Sequence, residues 1–196
     1  MSHDVKRFTR ATQVVHAGQY PDPATGAVAP PIVQSSTFAF ADCAQGAARF
    51  AGEDEGYIYT RMGNPTVARL EEAVSTVEGG FGGFATASGM AALNTVVFAL
   101  MGQGDHLVGT SSVYGPSRVV MERDFSRFGL ASDWVDTSDL DAVRAVLRPE
   151  TKIVFLETPA NPTMVLADIA AVAEIAHENG ALVLVDNTFA SPILQR

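Results

Sequence analysis

Several stretches of the sequence deliver polar or charged residues directly behind an apolar run, as a buried strand would deliver them to the edge of a sheet. KIVFLE (152–157) runs into TPANP, which places Glu157, Thr158 and Asn161 at such an edge. ALVLV (181–185) is followed by Asp186, Asn187 and Thr188, and DHLVGT (105–110) by Ser111, Ser112 and Tyr114. Ser88-Gly89-Met90 stands between FGGFATA (81–87) and the apolar helical pattern MAALNTVVFALM (90–101). The amides that open a helix lack partners and sit at the positive end of its dipole, so this turn favours an anion. The same Ser-Gly pair can also serve turn geometry alone. Asp186 reads as a fixed charge in a buried site, or as a strand-end acid that caps the next element.

An anion cradle, an aromatic (Tyr114) and an acid on neighbouring strand ends suit a ligand with a phosphate, a flat ring and a protonatable ring nitrogen. Pyridoxal phosphate has all three. Other chemistries lack their motifs. A nucleophile elbow around Ser88 would need glycines at 86 and 90, where Thr86 and Met90 stand. GGFGG (79–83) precedes its expected strand, so it is no dinucleotide fingerprint. His16, His106 and His177 have no partners at metal-ligand spacing, and no metal site is expected.

The elements that must position these residues alternate from Gly63 onward. Asn64-Pro65 starts a helix, Val67, Leu70, Val74 and Val77 follow at helical spacing, and Gly79-Gly80 ends it. Strands are expected at 81–87, 105–110, 132–136, 152–157 and 181–186. Helices are expected at 90–101, 117–129, 139–147 and 168–180. Alternation with continuously apolar strands predicts an α/β fold with a parallel or mostly parallel sheet covered on both faces, whose ligands bind beyond the strands' carboxyl ends. Residues 1–62, rich in Pro, Gly, Thr and Ser, show no sustained period and read as an extended arm. Residues 63–196 read as the cofactor-binding unit.

Composition narrows the function classes. With 196 residues, 47% of them hydrophobic, one ordinary domain core is possible. A formal charge of −9 speaks against nucleic acid or an anionic membrane surface as partner. MSHDVKRFTRATQ has no signal-peptide core, and no run approaches the roughly 20 apolar residues of a membrane span. A lone Cys43 cannot form an internal disulfide, and the cytoplasm is the default compartment.

Five ordered blocks carry a resemblance: YIYTRMGNPTVARLEE (57–72), ATASGMAA (85–92), SVYG (112–115), ETPANPT (157–163) and VDNTFASP (185–192). Together they resemble the cysteine and methionine metabolism family of pyridoxal-phosphate enzymes, which includes methionine γ-lyases, cystathionine γ-lyases, cystathionine γ-synthases and homoserine-ester sulfhydrylases. HAGQYPDPATGAVAPP and ARFAGEDEGYIYTRMGNPT look closest to methionine γ-lyases. The resemblance implies an aminotransferase-type (fold type I) three-layer α/β/α domain. It also implies a carbon–sulfur lyase acting on methionine or cystathionine, or alternatively a γ-replacement enzyme. Where methionine γ-lyases usually carry a cysteine two residues after the stacking tyrosine, this chain has Pro116, which weighs against methionine as the preferred substrate.

Residue by residue, the resemblance implies that Gly89 and Met90 donate backbone N–H groups to the cofactor phosphate. Tyr59 and Arg61 would reach that phosphate in the adjacent subunit of a dimer, with tetramers as pairs of dimers. Tyr114 would stack on the ring and exchange protons near the leaving group. Asn161 would hold the ring hydroxyl, Asp186 would keep the ring nitrogen protonated, and Ser88 and Thr188 would add further contacts. The family's cofactor-binding lysine lies some two dozen residues past the Asp strand, so the sequence reads as the N-terminal part of such an enzyme, and as an inactive fragment if it acts alone.

Overall fold

The structure, a computed structural model, describes residues 5–196, so the first residues of the segment judged to lack a signal-peptide core lie outside the described residues. The chain forms two compact units, one through Ala85 and the other Thr86–Arg196. The first holds α1 (Arg10–His16), α2 (Cys43–Ala51) and α3 (Pro65–Glu78) among irregular chain. α1 and α2 lie in the stretch that shows no sustained period in sequence. α2 is fixed at both ends by local chemistry, with Asp42 accepting from the Gln45 amide and Gly52 closing it at φ 74°.

α3 starts where Asn64-Pro65 places it. The buried Asn64 side chain accepts the Thr66 N–H at 2.8 Å and donates to the Val33 carbonyl at 3.0 Å, and Gly79 ends the helix at φ 69°. Val67, Leu70 and Val74 nevertheless remain exposed, so helical spacing here marks a face that the described residues leave uncovered. The strand expected at 81–87 does not form. Phe81 and Phe84 are exposed, and the Ala85 N–H donates to the Glu71 side chain at 2.8 Å instead of to a neighbouring strand. Apolar residues alone do not make a strand without a backbone to pair with.

The second unit is a doubly covered parallel sheet. Its elements are α4 (Gly89–Leu100), β1 (His106–Thr110), α5 (Gly115–Val119), β2 (Ala131–Val135), α6 (Leu140–Val146), β3 (Thr151–Glu157), α7 (Ile169–Glu178) and β4 (Leu182–Asp186). The strands lie in the order β2-β1-β3-β4, every pair parallel. Side chains alternate between two cores, as the two-residue period of a strand requires. Leu107, Ile153 and Phe155 pack with Leu93, Val97, Met121 and Phe125 on one face. Val108, Val154 and Leu156 pack with Val143, Val172 and Ile175 on the other. The result is the three-layer arrangement expected from the sequence.

Two local features follow from packing. The helix expected over 117–129 does end at Gly129, but it changes pitch along its length: α5 passes into a π-helical turn, Val120–Asp124, and then a 3-10 turn, Phe125–Phe128. Ser117, Met121 and Phe125 are all buried, and residues four apart drift around an ideal α-helix; a wider turn holds them on one face. Gly109 of β1 pairs with Trp134 of β2, and a Cβ there would stand only 2.3 Å from the indole, so the close approach requires glycine.

At the amino end of the sheet, buried His106 places Nδ1 2.8 Å from the Thr151 hydroxyl and Nε2 3.4 Å from Asp133. Burial, with help from Arg148, lowers its pKa below the ordinary histidine value, while Asp133 and Glu150 oppose the shift. The unfolded chain therefore binds the extra proton first. Stability should be complete above about pH 6.5 and fall as pH drops from there through the lowered native pKa, by up to about 1.4 kcal/mol per pH unit. Urea unfolding between pH 7.5 and 5 checks this: the wild type should lose stability over that range, whereas His106→Gln should be nearly flat.

Candidate active site

The strand order makes the carboxyl ends of β1 and β3 a divergence point. The connection leaving β1 passes through α5 on one face towards β2, and that leaving β3 passes through α7 on the other towards β4. Ligand clefts in parallel sheets form at such points. A cavity of about 330 Å³ opens there, and a second of about 210 Å³ adjoins it, sharing Gly89, Leu93, Asp186 and Thr188. The larger is lined by Ser88, Gly89 and Met90 at the start of α4, by Tyr114 after β1, by Glu157 at the end of β3 and Asn161 beyond it, and by Asp186 at the end of β4 and Thr188 beyond it. Seven of the nine residues singled out in sequence thus share one cavity.

The start of α4 is an open set of donors. The Ser88 hydroxyl is engaged as the N-cap, accepting the Ala91 N–H at 3.1 Å, and its carbonyl accepts the Ala92 N–H at 3.0 Å. The N–H groups of Gly89 and Met90 have no acceptor among the described residues. A Cβ on Gly89 would meet nothing within 4 Å, so space for an anion lies directly against these amides. The Met90 thioether accepts from the Ser117 hydroxyl at 3.6 Å, which ties this turn to α5.

The two acids in the cavity differ in their surroundings. Asp186 is half-buried, and its Oδ1 accepts both the Thr188 N–H, at 3.0 Å, and the Thr188 hydroxyl. No donor reaches Oδ2 among the described residues, so that oxygen remains available. Thr188 is thereby placed as the group that orients Asp186. Glu157, 4% exposed, accepts at both oxygens from backbone amides: Tyr114 N–H at 2.7 Å and Asn161 N–H at 2.6 Å. The Asn161 side-chain amide makes no hydrogen bond among the described residues, and Tyr114 is 42% exposed.

Tyr59 and Arg61 belong to the first unit, where the Arg61 guanidinium lies 5.4 Å from the Tyr59 ring centroid and Tyr59 forms an isolated antiparallel bridge with Thr37. They do not line either cavity. Lys152 is exposed near the start of β3, five residues before Glu157 and so about 16 Å from the carboxyl edge at about 3.3 Å per residue. The Lys6 side chain lies outside the described residues. Among the described residues there is no cluster of three or more potential metal ligands. Sequence reading placed Glu157 at the right edge without a role; a buried acid just before TPANP was the available signal.

Amides at a helix start, an aromatic, a free side-chain amide and a carboxylate with one unengaged oxygen together define a cofactor-binding α/β unit whose donors fit pyridoxal 5′-phosphate. A family model for Cys/Met metabolism PLP-dependent enzymes matches residues 11–196, and the chain belongs to that family. It is 44% identical over 195 residues to an L-methionine gamma-lyase of Treponema denticola, covering 98% of this chain and 48% of that protein. It is likewise 44% identical to an O-succinylhomoserine sulfhydrylase of Pseudomonas aeruginosa, covering 100% of this chain and 48% of that one. A solved cystathionine gamma-lyase of Lactobacillus plantarum, complexed with L-serine, superposes with a TM-score of 0.85 at 41% identity, covering 94% of this chain and 46% of that chain. The chain spans about half the length of the relatives it matches.

The open space at Gly89 gives a direct test. Gly89→Val should leave the stability of the cofactor-free protein within about 0.5 kcal/mol, as for a surface change. It should weaken pyridoxal 5′-phosphate binding at least tenfold in an equilibrium titration followed by Trp134 fluorescence. Unaltered affinity would remove the phosphate from this turn.

Proposed function

We propose that the protein is a pyridoxal-phosphate-dependent carbon–sulfur lyase. With methionine or cystathionine as substrate it would consume one water and release 2-oxobutyrate, ammonia and a thiol. The observation that carries this reading is the single cavity at the carboxyl edge, where anion donors, Tyr114, Asn161 and Asp186 converge in a chain of this family.

When bound, the cofactor supplies an electron-withdrawing ring conjugated to the substrate amino group. This chain's residues bind and tune it. The Gly89 and Met90 amides would hold the phosphate, and the free Asn161 side-chain amide would hold the ring oxygen. Asp186, through its unengaged Oδ2, would favour a proton on the ring nitrogen, and electrostatic help of this kind is typically worth roughly 3–4 kcal/mol. Tyr114 would stack on the ring, and its hydroxyl would be the acid for the departing sulfur.

The charge balance of the cavity supports a shared site. Two carboxylates and no Lys or Arg side chain line it among the described residues, yet a phosphate carries close to two negative charges. In this reading Arg61, with Tyr59 beside it, supplies the missing cation from a neighbouring subunit, which makes a dimer the minimal catalytic unit and a tetramer a pair of dimers. Among the described residues no helix is long and apolar enough to cross a membrane, and the cytoplasm is the proposed compartment.

The second reading, γ-replacement on an activated homoserine ester, is favoured by the equal identity to the sulfhydrylase. The full-length protein, incubated with methionine, with cystathionine, and with O-succinylhomoserine or O-acetylhomoserine plus sulfide, decides between them. Release of 2-oxobutyrate from a thioether is the expected result. Rapid ester conversion without 2-oxobutyrate from either thioether would replace the lyase reading with γ-replacement.

A further inference from the structure

We propose that Glu157 is a positioning residue that fixes Tyr114 and Asn161 relative to each other through one carboxylate. The inference rests on the pyridoxal-phosphate reading of the cavity for its functional consequence, but its geometry stands independently. Glu157 is the last residue of β3, 4% exposed, and it lines the cavity without a cationic partner. A buried acid is costly unless its oxygens are hydrogen-bonded. Here the donors are two backbone amides from different segments: Tyr114, four residues past the end of β1, and Asn161, four residues past the end of β3. Each takes its own oxygen, at 2.7 and 2.6 Å.

Tyr114 precedes a helix of only five residues and lacks a side-chain cap interaction, and the Asn161 side chain makes no hydrogen bond among the described residues. Their backbones are joined through the carboxylate of a strand that lies between two others and is buried from Ile153 to Glu157. A carboxylate is suited to the task because both its oxygens accept, whereas an amide of the same shape offers one acceptor and one donor. Glu157→Gln therefore keeps the volume and sets an NH2 group against one of the two N–H groups.

The test uses the full-length protein, with pyridoxal 5′-phosphate as the probe, and compares wild type with Glu157→Gln. Hydrogen exchange should accelerate in peptides covering 111–116 and 158–163 and stay unchanged in β1 and β3. Cofactor affinity should fall about tenfold. The visible circular dichroism per bound cofactor, read at saturation, should fall to about half, because ring orientation is lost even where occupancy is restored. A merely structural role would lower the melting temperature without altering dichroism at saturation. Unchanged exchange in both segments, or unchanged affinity and dichroism, would overturn the proposal. A wild type that binds no cofactor would instead overturn the pyridoxal-phosphate reading, with the exchange data still deciding whether Glu157 joins the two segments. Glu157→Asp, too short to reach both amides, is read in the same way if the Gln variant does not fold.

Discussion

Parallel pairing of β1, β3 and β4 is the constraint from which the site follows. In register, Glu157 lies opposite Asp186, and all three strands end at one edge. Both faces of the sheet carry apolar cores, which leaves the carboxyl ends of β1, β3 and β4 as the place where the polar side chains of the cavity collect. The carboxyl end is the one facing the start of α4 within the cavity, where the Gly89 and Met90 amides lack partners. A shift of β4 by one residue would turn Asp186 to the other face of the sheet and leave the cavity with Glu157 alone.

Two adjacent acids in one cavity would repel if both were left to find the same partners. The structure separates them by hydrogen bonding. Glu157 is engaged at both oxygens by backbone amides, so its charge is used within the protein. Asp186 is engaged at one oxygen by Thr188 and keeps the other for a ligand. One acid is spent on the backbone and the other keeps an oxygen open to the cavity. Among the described residues, neither Lys nor Arg lines the cavity.

Much of this was legible in the sequence because its causes are local. Apolar runs of strand length, punctuated by Gly and Asp, mark β1, β3 and β4, the shorter SDWVD marks β2, and the Asn64-Pro65 signal marks α3 through a cap that the structure contains. The residues that follow the apolar runs include eight that line the larger cavity, three of them behind 81–87, which forms no strand. What sequence concealed is non-local. FGGFATA looks like a strand, but pairing depends on a neighbouring backbone that no local pattern reports. The role of Glu157 depends on Tyr114, 43 residues away, and on a side chain crossing from one strand end to another. Thr188 lines the cavity as the sequence suggests, and its donation to Asp186 from both hydroxyl and amide is a further, structural tie that the sequence does not report.

In the proposed function, Asp186 would hold a charged ring nitrogen at the carboxyl edge of the sheet. The most direct measurement is the ¹⁵N chemical shift of ring-labelled pyridoxal 5′-phosphate bound to the full-length protein, compared between wild type and Asp186→Asn across pH 6 to 9. A protonated ring nitrogen throughout that range in the wild type, lost in Asp186→Asn, is the expected result. Identical shifts in the two proteins would mean that Asp186 does not face the ring nitrogen, and the orientation of the cofactor described here would be wrong.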